Sequence, residues 1–185
     1  CPKYFYIIYS IFISSQFITY LNMQSNFISL LNKKNNIFKN LKVRLYHKSN
    51  HQWNEKNFLS KRFNNLKFDN NKTISNSLKS CRLFISTYNA TTYLESLYYN
   101  IPTVIFWDPK FWELDNKGKK YFEALKRNNI FFDCEKKAAQ FVIEKFDSIE
   151  DWWFSKNVQL ARKNFINEYC KDSNLNILID TLKNE

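Results

Sequence analysis

The sequence has very little glycine and proline, with one glycine and three prolines among 185 residues. A chain with a single glycine cannot contain a Gly-rich phosphate loop of the Walker type or the Gly-x-Ser-x-Gly turn of a hydrolase nucleophile. The metalloprotease pattern His-Glu-x-x-His is also absent. Any phosphate site in this chain must therefore be built from other residue types.

The sequence also lacks any cysteine or histidine spacing that is typical of a metal site. The four cysteines lie far apart, at Cys1, Cys81, Cys134 and Cys170. We expect them to be buried thiols in a reducing compartment, because a chain of this size can build a core without disulfides. His47 and His51 are four residues apart but have no strong third ligand nearby. The sequence therefore predicts a cytoplasmic protein without a metal.

Acidic residues are outnumbered, and the formal net charge is +11. The basic residues are nevertheless spread along the chain and are mixed with acidic residues after Asp108, with no arginine-rich run and no nucleic-acid-binding motif. We therefore expect no nucleic-acid partner. A plain basic surface, attraction to phosphorylated substrates and peripheral contact with the inner membrane stay open as explanations of the charge.

No charged residue occurs between Lys3 and Lys33. A membrane span or signal segment is one interpretation of this stretch. Residues 4–13 are instead β-branched and aromatic, which is typical of a buried strand, and apolar residues return at helical spacing after Ser14. We favour a strand followed by a helix. The chain begins with cysteine, so we expect that it is a fragment lacking an upstream domain.

Strand-like and helix-like segments alternate along the rest of the chain. Strands are predicted at 41–47, 65–69, 82–86, 102–107 and 130–133, and helices at 73–80, 91–100, 116–129, 134–146, 148–170 and 174–184. Ser148 and Asp151 form a helix-capping pattern at the start of the long helix. The alternation predicts an α/β fold with a doubly wound, mainly parallel, Rossmann-like sheet and a C-terminal helical tail.

A polar turn follows the predicted strand at 82–86. Ligands bind beyond the carboxyl ends of strands in open α/β sheets, and this turn lies at such a point. Its residues with suitable side chains are Thr87, Asn89, Thr91 and Thr92. The threonines offer hydroxyl donors, the asparagine tolerates unusual backbone angles, and a helix starting near Thr91 would present free N–H groups. The turn therefore predicts a phosphate site without glycine.

Glu95 lies about one turn into the helix that follows. Its carboxylate is suited to accept hydrogen bonds from a pair of sugar or ribose hydroxyls. Alternatively, Thr92 and Glu95 form a capping box, and the glutamate then only satisfies the start of the helix. The spacing of these residues leaves both interpretations open.

Further contacts are predicted from two other segments at the same edge of the sheet. Arg44 lies in the strand at 41–47, where a cation would offset the phosphate charge of a leaving group, and Tyr46 and His47 lie beside it. Asp108 and Glu113 lie in the loop after the predicted strand at 102–107, where a carboxylate can act as a general acid or base. A surface role for the arginine, and a capped loop with tryptophans packed in the core, are the alternatives.

Three motifs together carry a resemblance to a known family. They are TYNATTYLE at 87–95, NIPTVIFW at 100–107 and DWW at 151–153, and the likeness runs from about residue 42 to residue 170. They resemble a bacterial family of transferases encoded among O-antigen and capsule biosynthesis genes. More distantly, the layout is similar to the donor-binding half of GT-B glycosyltransferases. His47 and Gln52 depart from the Pro and Gly of the family pattern.

The resemblance implies a nucleotide-sugar donor as substrate, with no cofactor, and a lipid-linked or saccharide acceptor. The turn from Thr87 to Thr92 would hold the donor's diphosphate or sugar, and Glu95 its hydroxyls. Residues 1–147 would form the nucleotide-sugar-binding domain, with helices of 148–185 packed on it. A related epimerase, a polymer-forming transferase and a non-catalytic scaffold at the inner membrane remain alternatives.

Overall fold

The computed structural model describes residues 14–45 and 54–170. Within these ranges the elements in chain order are α1 (Ser14–Asn32), α2 (Asn35–Phe38), β1 (Lys42–Val43), α3 (Glu55–Arg62), β2 (Lys67–Phe68), α4 (Ile74–Lys79), β3 (Phe84–Ser86), α5 (Thr92–Tyr98), β4 (Thr103–Phe106), α6 (Asn116–Arg127), β5 (Phe131–Phe132), α7 (Glu135–Lys145), a 3-10 turn (Phe146–Ser148), α8 (Ile149–Trp153) and α9 (Lys156–Tyr169). The strand predicted at 4–13 and the helix predicted at 174–184 lie outside the described residues.

The strands pair in parallel throughout the described ranges. β1 pairs with β2, and β4 lies between β3 and β5 in a second sheet. Helix α5 connects β3 to β4 and helix α6 connects β4 to β5, as parallel pairing requires. The predicted α/β fold with parallel, Rossmann-like strand pairing is therefore confirmed.

Helices cover both faces of the three-stranded sheet. Ile105 and Trp107 point into a core shared with α5, α6 and α9, whereas Val104 and Phe106 point into a core shared with α1 and α7. The ring of Phe106 stacks on that of Phe27 from α1, with the centroids 4.8 Å apart. All four side chains are buried because a parallel strand between two helical layers has no solvent-facing side.

Helix α1 confirms the prediction of a helix after Ser14. Its apolar side chains Phe27 and Leu31 are buried, and it lies along α7 on one face of the sheet. Within the described ranges, no helix is both long enough and apolar enough to cross a membrane.

Asparagine supplies the left-handed backbone positions that glycine usually supplies. Asn65, Asn100 and Asn129 have φ values of 67°, 56° and 58°. Asn100 follows the end of α5 and Asn129 the end of α6, where a left-handed residue stops a helix. Asparagine tolerates this region better than most residues, so the chain can make these turns with almost no glycine.

The prediction of a single long helix at 148–170 is wrong, because the helical conformation is interrupted between α8 and α9. Ser155 takes an extended conformation, with φ −62° and ψ 147°. The break lets buried Trp153 and, further on, Phe165 face the same core. Ser148 makes no side-chain capping bond, so the predicted cap does not form either. The sequence pattern also fails to predict α2 and α3.

Candidate functional site

The polar turn after β3 lies at the carboxyl edge of the three-stranded sheet. Ser86 at the end of β3 pairs with Ile105, and Phe106 at the end of β4 pairs with Phe132 of β5. The loops that follow the three strands therefore open at one edge. The hydroxyl of buried Ser86 donates a hydrogen bond to the carbonyl of Tyr88 at 3.1 Å and tightens the turn.

Thr87 is bonded to α1 and thereby ties this helix to the site. Gln24 Nε2 donates to Thr87 Oγ1 at 2.9 Å, and Thr87 Oγ1 donates to the hydroxyl of Tyr20 at 3.3 Å. The ring of Tyr20 meets that of Tyr88 edge-on, with the centroids 5.7 Å apart. Burial raises the pKa of Tyr20 well above its ordinary value, so its hydroxyl stays neutral.

The sequence motifs give no indication of Tyr20 and Gln24, which lie more than sixty residues from Thr87 along the chain. Their spacing of four residues places them on one side of α1. That spacing is the one local signal that could have indicated a shared contact.

Asn89 also has a structural partner, because its Oδ1 accepts a hydrogen bond from the hydroxyl of Tyr93 at 3.0 Å. Burial raises the pKa of Tyr93, which keeps that hydroxyl a neutral donor. Asn89 is not among the residues with positive φ, so the expectation of unusual backbone angles at this position is wrong.

Thr91, Thr92 and Glu95 differ from their neighbours in having side chains with no hydrogen-bond partner among the described residues. Thr91 is the residue before α5, and it makes no side-chain capping bond. Thr92 is the first helical residue and not the cap, so the alternative of a Thr92–Glu95 capping box is not realised. Thr91 and Glu95 are four residues apart, on the side of α5 opposite buried Tyr93 and Leu97. These polar groups are available to a ligand.

Arg44 follows β1, which pairs with β2 in a separate two-stranded sheet, so the expectation that it lies at the same sheet edge as the polar turn is wrong. Its side chain is also already bonded. Its Nη1 lies 2.8 Å from Asp69 Oδ2 and also donates to the carbonyl of Asn71 and the hydroxyl of Ser77. Burial would raise the pKa of Asp69, but the bonds from Ser77, the Asn71 amide and Arg44 outweigh it, and the pKa lies below its ordinary value. Any phosphate contact by Arg44 would fall to Nε and Nη2, for which the described part of the chain gives no partner.

The loop after β4 is a capped turn with tryptophan in the core. Asp108 Oδ1 accepts from the Lys110 amide at 2.9 Å, whereas Glu113 is exposed and has no bond to another described side chain. Trp107 is 1% exposed and packs against the rings of Phe122 and Phe131, as its packing alternative predicts. Tyr46 and His47 lie outside the described residues.

Residues 14–45 and 54–170 contain no group of three or more His, Cys, Asp and Glu residues that could hold a metal ion. Cys81, Cys134 and Cys170 are free thiols and partly buried. Burial raises the pKa of the Cys81 and Cys170 thiols, which keeps them protonated at neutral pH. The polar side chains of the turn after β3 and the loop after β4 are thus hydroxyl groups, an amide and carboxylates, and none of them is a thiol.

Comparison with known proteins agrees with the expected class of activity. A family model described as LIC12162 family transferase matches residues 1–185, the whole sequence. Searches of curated proteins and of solved structures find no match. Since this match covers the whole sequence, the chain belongs to the LIC12162 family of transferases.

Proposed function

We propose that this chain binds a nucleotide-sugar at the carboxyl edge of β3 and β4 and transfers the sugar in bacterial surface-polysaccharide synthesis, in the manner of a GT-B glycosyltransferase. Membership of a transferase family supports the general activity. The parallel sheet with helices on both faces supports a nucleotide-type ligand, since such sheets bind ligands at this edge.

One observation carries the proposal. Thr91 and Glu95 lie at the start of α5, the helix that follows the turn after β3, on one side of that helix, and neither side chain bonds to another described residue. Their neighbours Thr87 and Asn89 are bonded to Gln24 and Tyr93. The turn is therefore held by one set of polar groups, while a second set faces outward.

The two sets have different roles in the proposal. Glu95 accepts hydrogen bonds from neighbouring hydroxyls of the ribose or sugar, while Thr91 and Thr92 donate to the diphosphate. Thr87 and Asn89 fix the turn between them. Asp108 and Glu113 lie in the neighbouring loop, and the free nitrogens of Arg44 supply positive charge.

Transfer requires displacement at the anomeric carbon of the sugar. The bond from this carbon to the phosphate oxygen breaks, and the nucleotide leaves with the electron pair. The oxygen of the acceptor hydroxyl forms the new bond to the anomeric carbon, and its proton is released to the surrounding water. Charge develops on the departing diphosphate, so donors directed at it lower the barrier. The acceptor is a lipid-linked or free saccharide, and the work takes place in the cytoplasm or at the inner-membrane surface.

Calorimetric titration with UDP, GDP, CMP and dTDP tests the proposal. We expect one nucleotide to bind, and Glu95→Ala to weaken it about tenfold to a hundredfold, the loss of a hydrogen bond involving a charged group. Thr91→Val keeps the shape of the side chain and removes its hydroxyl, and it should weaken binding about tenfold. Glu123→Ala, on an exposed glutamate of α6, is the matched control. If no nucleotide binds, or if the control is equally affected, the proposal is wrong.

A further inference from the structure

A cleft lies between α1 and the start of α3. It measures about 310 Å³, the lower end of the range for small-molecule sites. Its lining includes Phe17, Ile18, Leu21, Phe58, Asn54 and Glu55. The apolar side chains Ile18 and Phe58 are 50% and 36% exposed, whereas Phe17 is fully buried. The cleft is therefore an apolar surface that remains accessible at its mouth.

Glu55 is the acidic group in this lining. It is the first residue of α3 and partly buried, and its side chain has no hydrogen-bond or ion-pair partner among the described residues. Asp69 and Glu150, by contrast, are paired with Arg44 and Arg82. Burial raises the pKa of Glu55 above its ordinary value. An unpaired carboxyl group in apolar surroundings is costly, and a ligand that donates a hydrogen bond would offset that cost.

Helix α1 links the cleft to the turn after β3. Phe17, Ile18 and Leu21 belong to the same stretch of α1 as Tyr20, whose hydroxyl is bonded to Thr87. Burial raises the pKa of Tyr20, and the nearby charge of Glu55 raises it further. Glu55, Tyr20 and Thr87 thus connect the cleft to the edge of the sheet where the proposed donor binds.

We propose that this cleft is the acceptor subsite, and that it binds an amphiphilic molecule whose apolar chain packs on Ile18, Leu21 and Phe58 and whose hydroxyl donates to Glu55. The name acceptor rests on the proposed function, but the binding site itself does not. Apolar walls favour an acceptor with a hydrocarbon part over a free saccharide, which would lose hydrogen bonds to water on entering. The carboxylate accepts hydrogen bonds and so selects a hydroxyl-bearing end.

NMR titration of the methyl-labelled chain with octyl glucoside below its micelle concentration tests the proposal, with glucose as the second probe. We expect the methyl signals of Ile18 and Leu21 to shift with octyl glucoside and not with glucose. Ile18→Asp should weaken binding about tenfold or more, because it puts a charge on the apolar wall. Glu55→Gln should weaken it about fivefold, since a hydrogen bond to a charged group is stronger than a neutral one.

Leu160→Asp is the matched control, because Leu160 is a 56% exposed leucine on α9. It should leave octyl glucoside binding unchanged. Unmoved Ile18 and Leu21 signals, or equal weakening by Leu160→Asp, would overturn the proposal. If octyl glucoside binds in the cleft but no nucleotide binds to the chain, the binding site in the cleft is supported and the proposed function is wrong. If a nucleotide binds but octyl glucoside does not, the proposed function is supported and the binding site in the cleft is wrong.

Discussion

The indole N–H of Trp153 donates to both oxygen atoms of Asn100, the backbone carbonyl and the side-chain Oδ1, each at 3.0 Å. Gln159 Nε2 donates to the same Oδ1 at 3.1 Å. Asn100 also has a left-handed backbone, with φ 56°. One residue therefore ends α5, leads into β4 and joins both to α8 and α9.

Substitutions at Asn100 should separate its two roles. Asn100→Gly keeps the left-handed backbone and loses the Oδ1 bonds, which should lower the free energy of unfolding by about 1–3 kcal/mol. Asn100→Ala loses the same bonds and adds a backbone penalty, so it should be about 1 kcal/mol less stable than the glycine variant. Urea denaturation measures both differences.

Asn128 provides the comparison, because it follows α6 with a φ of −102°. Alanine should be at least as stable as glycine there, since the backbone is not left-handed. The same order of alanine and glycine at both positions would show that backbone conformation does not set the effect at Asn100.

Asp69 should make stability depend on pH in the acid range. Its pKa in the folded chain lies below the ordinary value of 3.8, because its hydrogen bonds outweigh the effect of burial. This contribution is present above the pKa of the unfolded state and is lost as the pH falls through the folded pKa. The free energy of unfolding should therefore decrease below about pH 4, with Asp69 contributing to the slope.

Asp69→Asn should be less stable than the natural chain at pH 7, by about 1.5–3 kcal/mol, and should show a shallower loss of stability toward acid. Ser77→Ala removes one donor to Asp69 and should give an intermediate slope. Chemical denaturation from pH 2 to pH 7 checks both expectations. An unchanged slope in Asp69→Asn would contradict the assignment.

Thr87→Val should reduce stability more than it reduces nucleotide binding. The valine cannot bond to Gln24 or Tyr20, and these two partly buried groups then keep only the bond from Gln24 Nε2 to the Tyr20 hydroxyl. We expect a loss of about 1–3 kcal/mol in the free energy of unfolding and less than about a threefold change in nucleotide affinity. Denaturation and calorimetry on the same variant make the comparison. A large loss of affinity with unchanged stability would place Thr87 in contact with the ligand.

Glu95→Ala should show the opposite pattern. The Glu95 side chain has no bond to another described residue, so its removal should change the free energy of unfolding by less than about 0.5 kcal/mol. Nucleotide affinity should fall strongly, because the proposed hydroxyl contacts are lost. Lower stability with unaltered affinity would mean that Glu95 supports the helix and does not bind the ligand.

Local patterns in the sequence predict most of the elements around the site. The apolar runs at 82–86 and 102–107 contain β3 and β4, and the helix expected from residue 91 begins at Thr92. These predictions succeed because strand and helix periods are properties of neighbouring residues. The family resemblance correctly indicates a transferase.

The sequence predicts less well what depends on distant contacts. The break before Ser155 depends on how α8 and α9 share one core, and the partners of Thr87 come from α1. The pattern Thr92-x-x-Glu95 leaves a capping box open as one interpretation, but the helix begins one residue earlier than the box requires. The residue types alone cannot distinguish a helix whose Thr and Glu cap it from one whose Thr and Glu side chains are free, because the same pattern is compatible with both.

The most direct test of the proposed nucleotide site is to map nucleotide binding on the amide NMR spectrum of the chain. The nucleotide that gives heat in calorimetry is added to the nitrogen-labelled protein, and each amide signal is followed. We predict the largest shifts between Thr87 and Glu95, with smaller shifts at Asp108 and little change in α8 and α9. Shifts concentrated away from the carboxyl edge of β3 and β4, or no shifts at all, would contradict a nucleotide site at this edge.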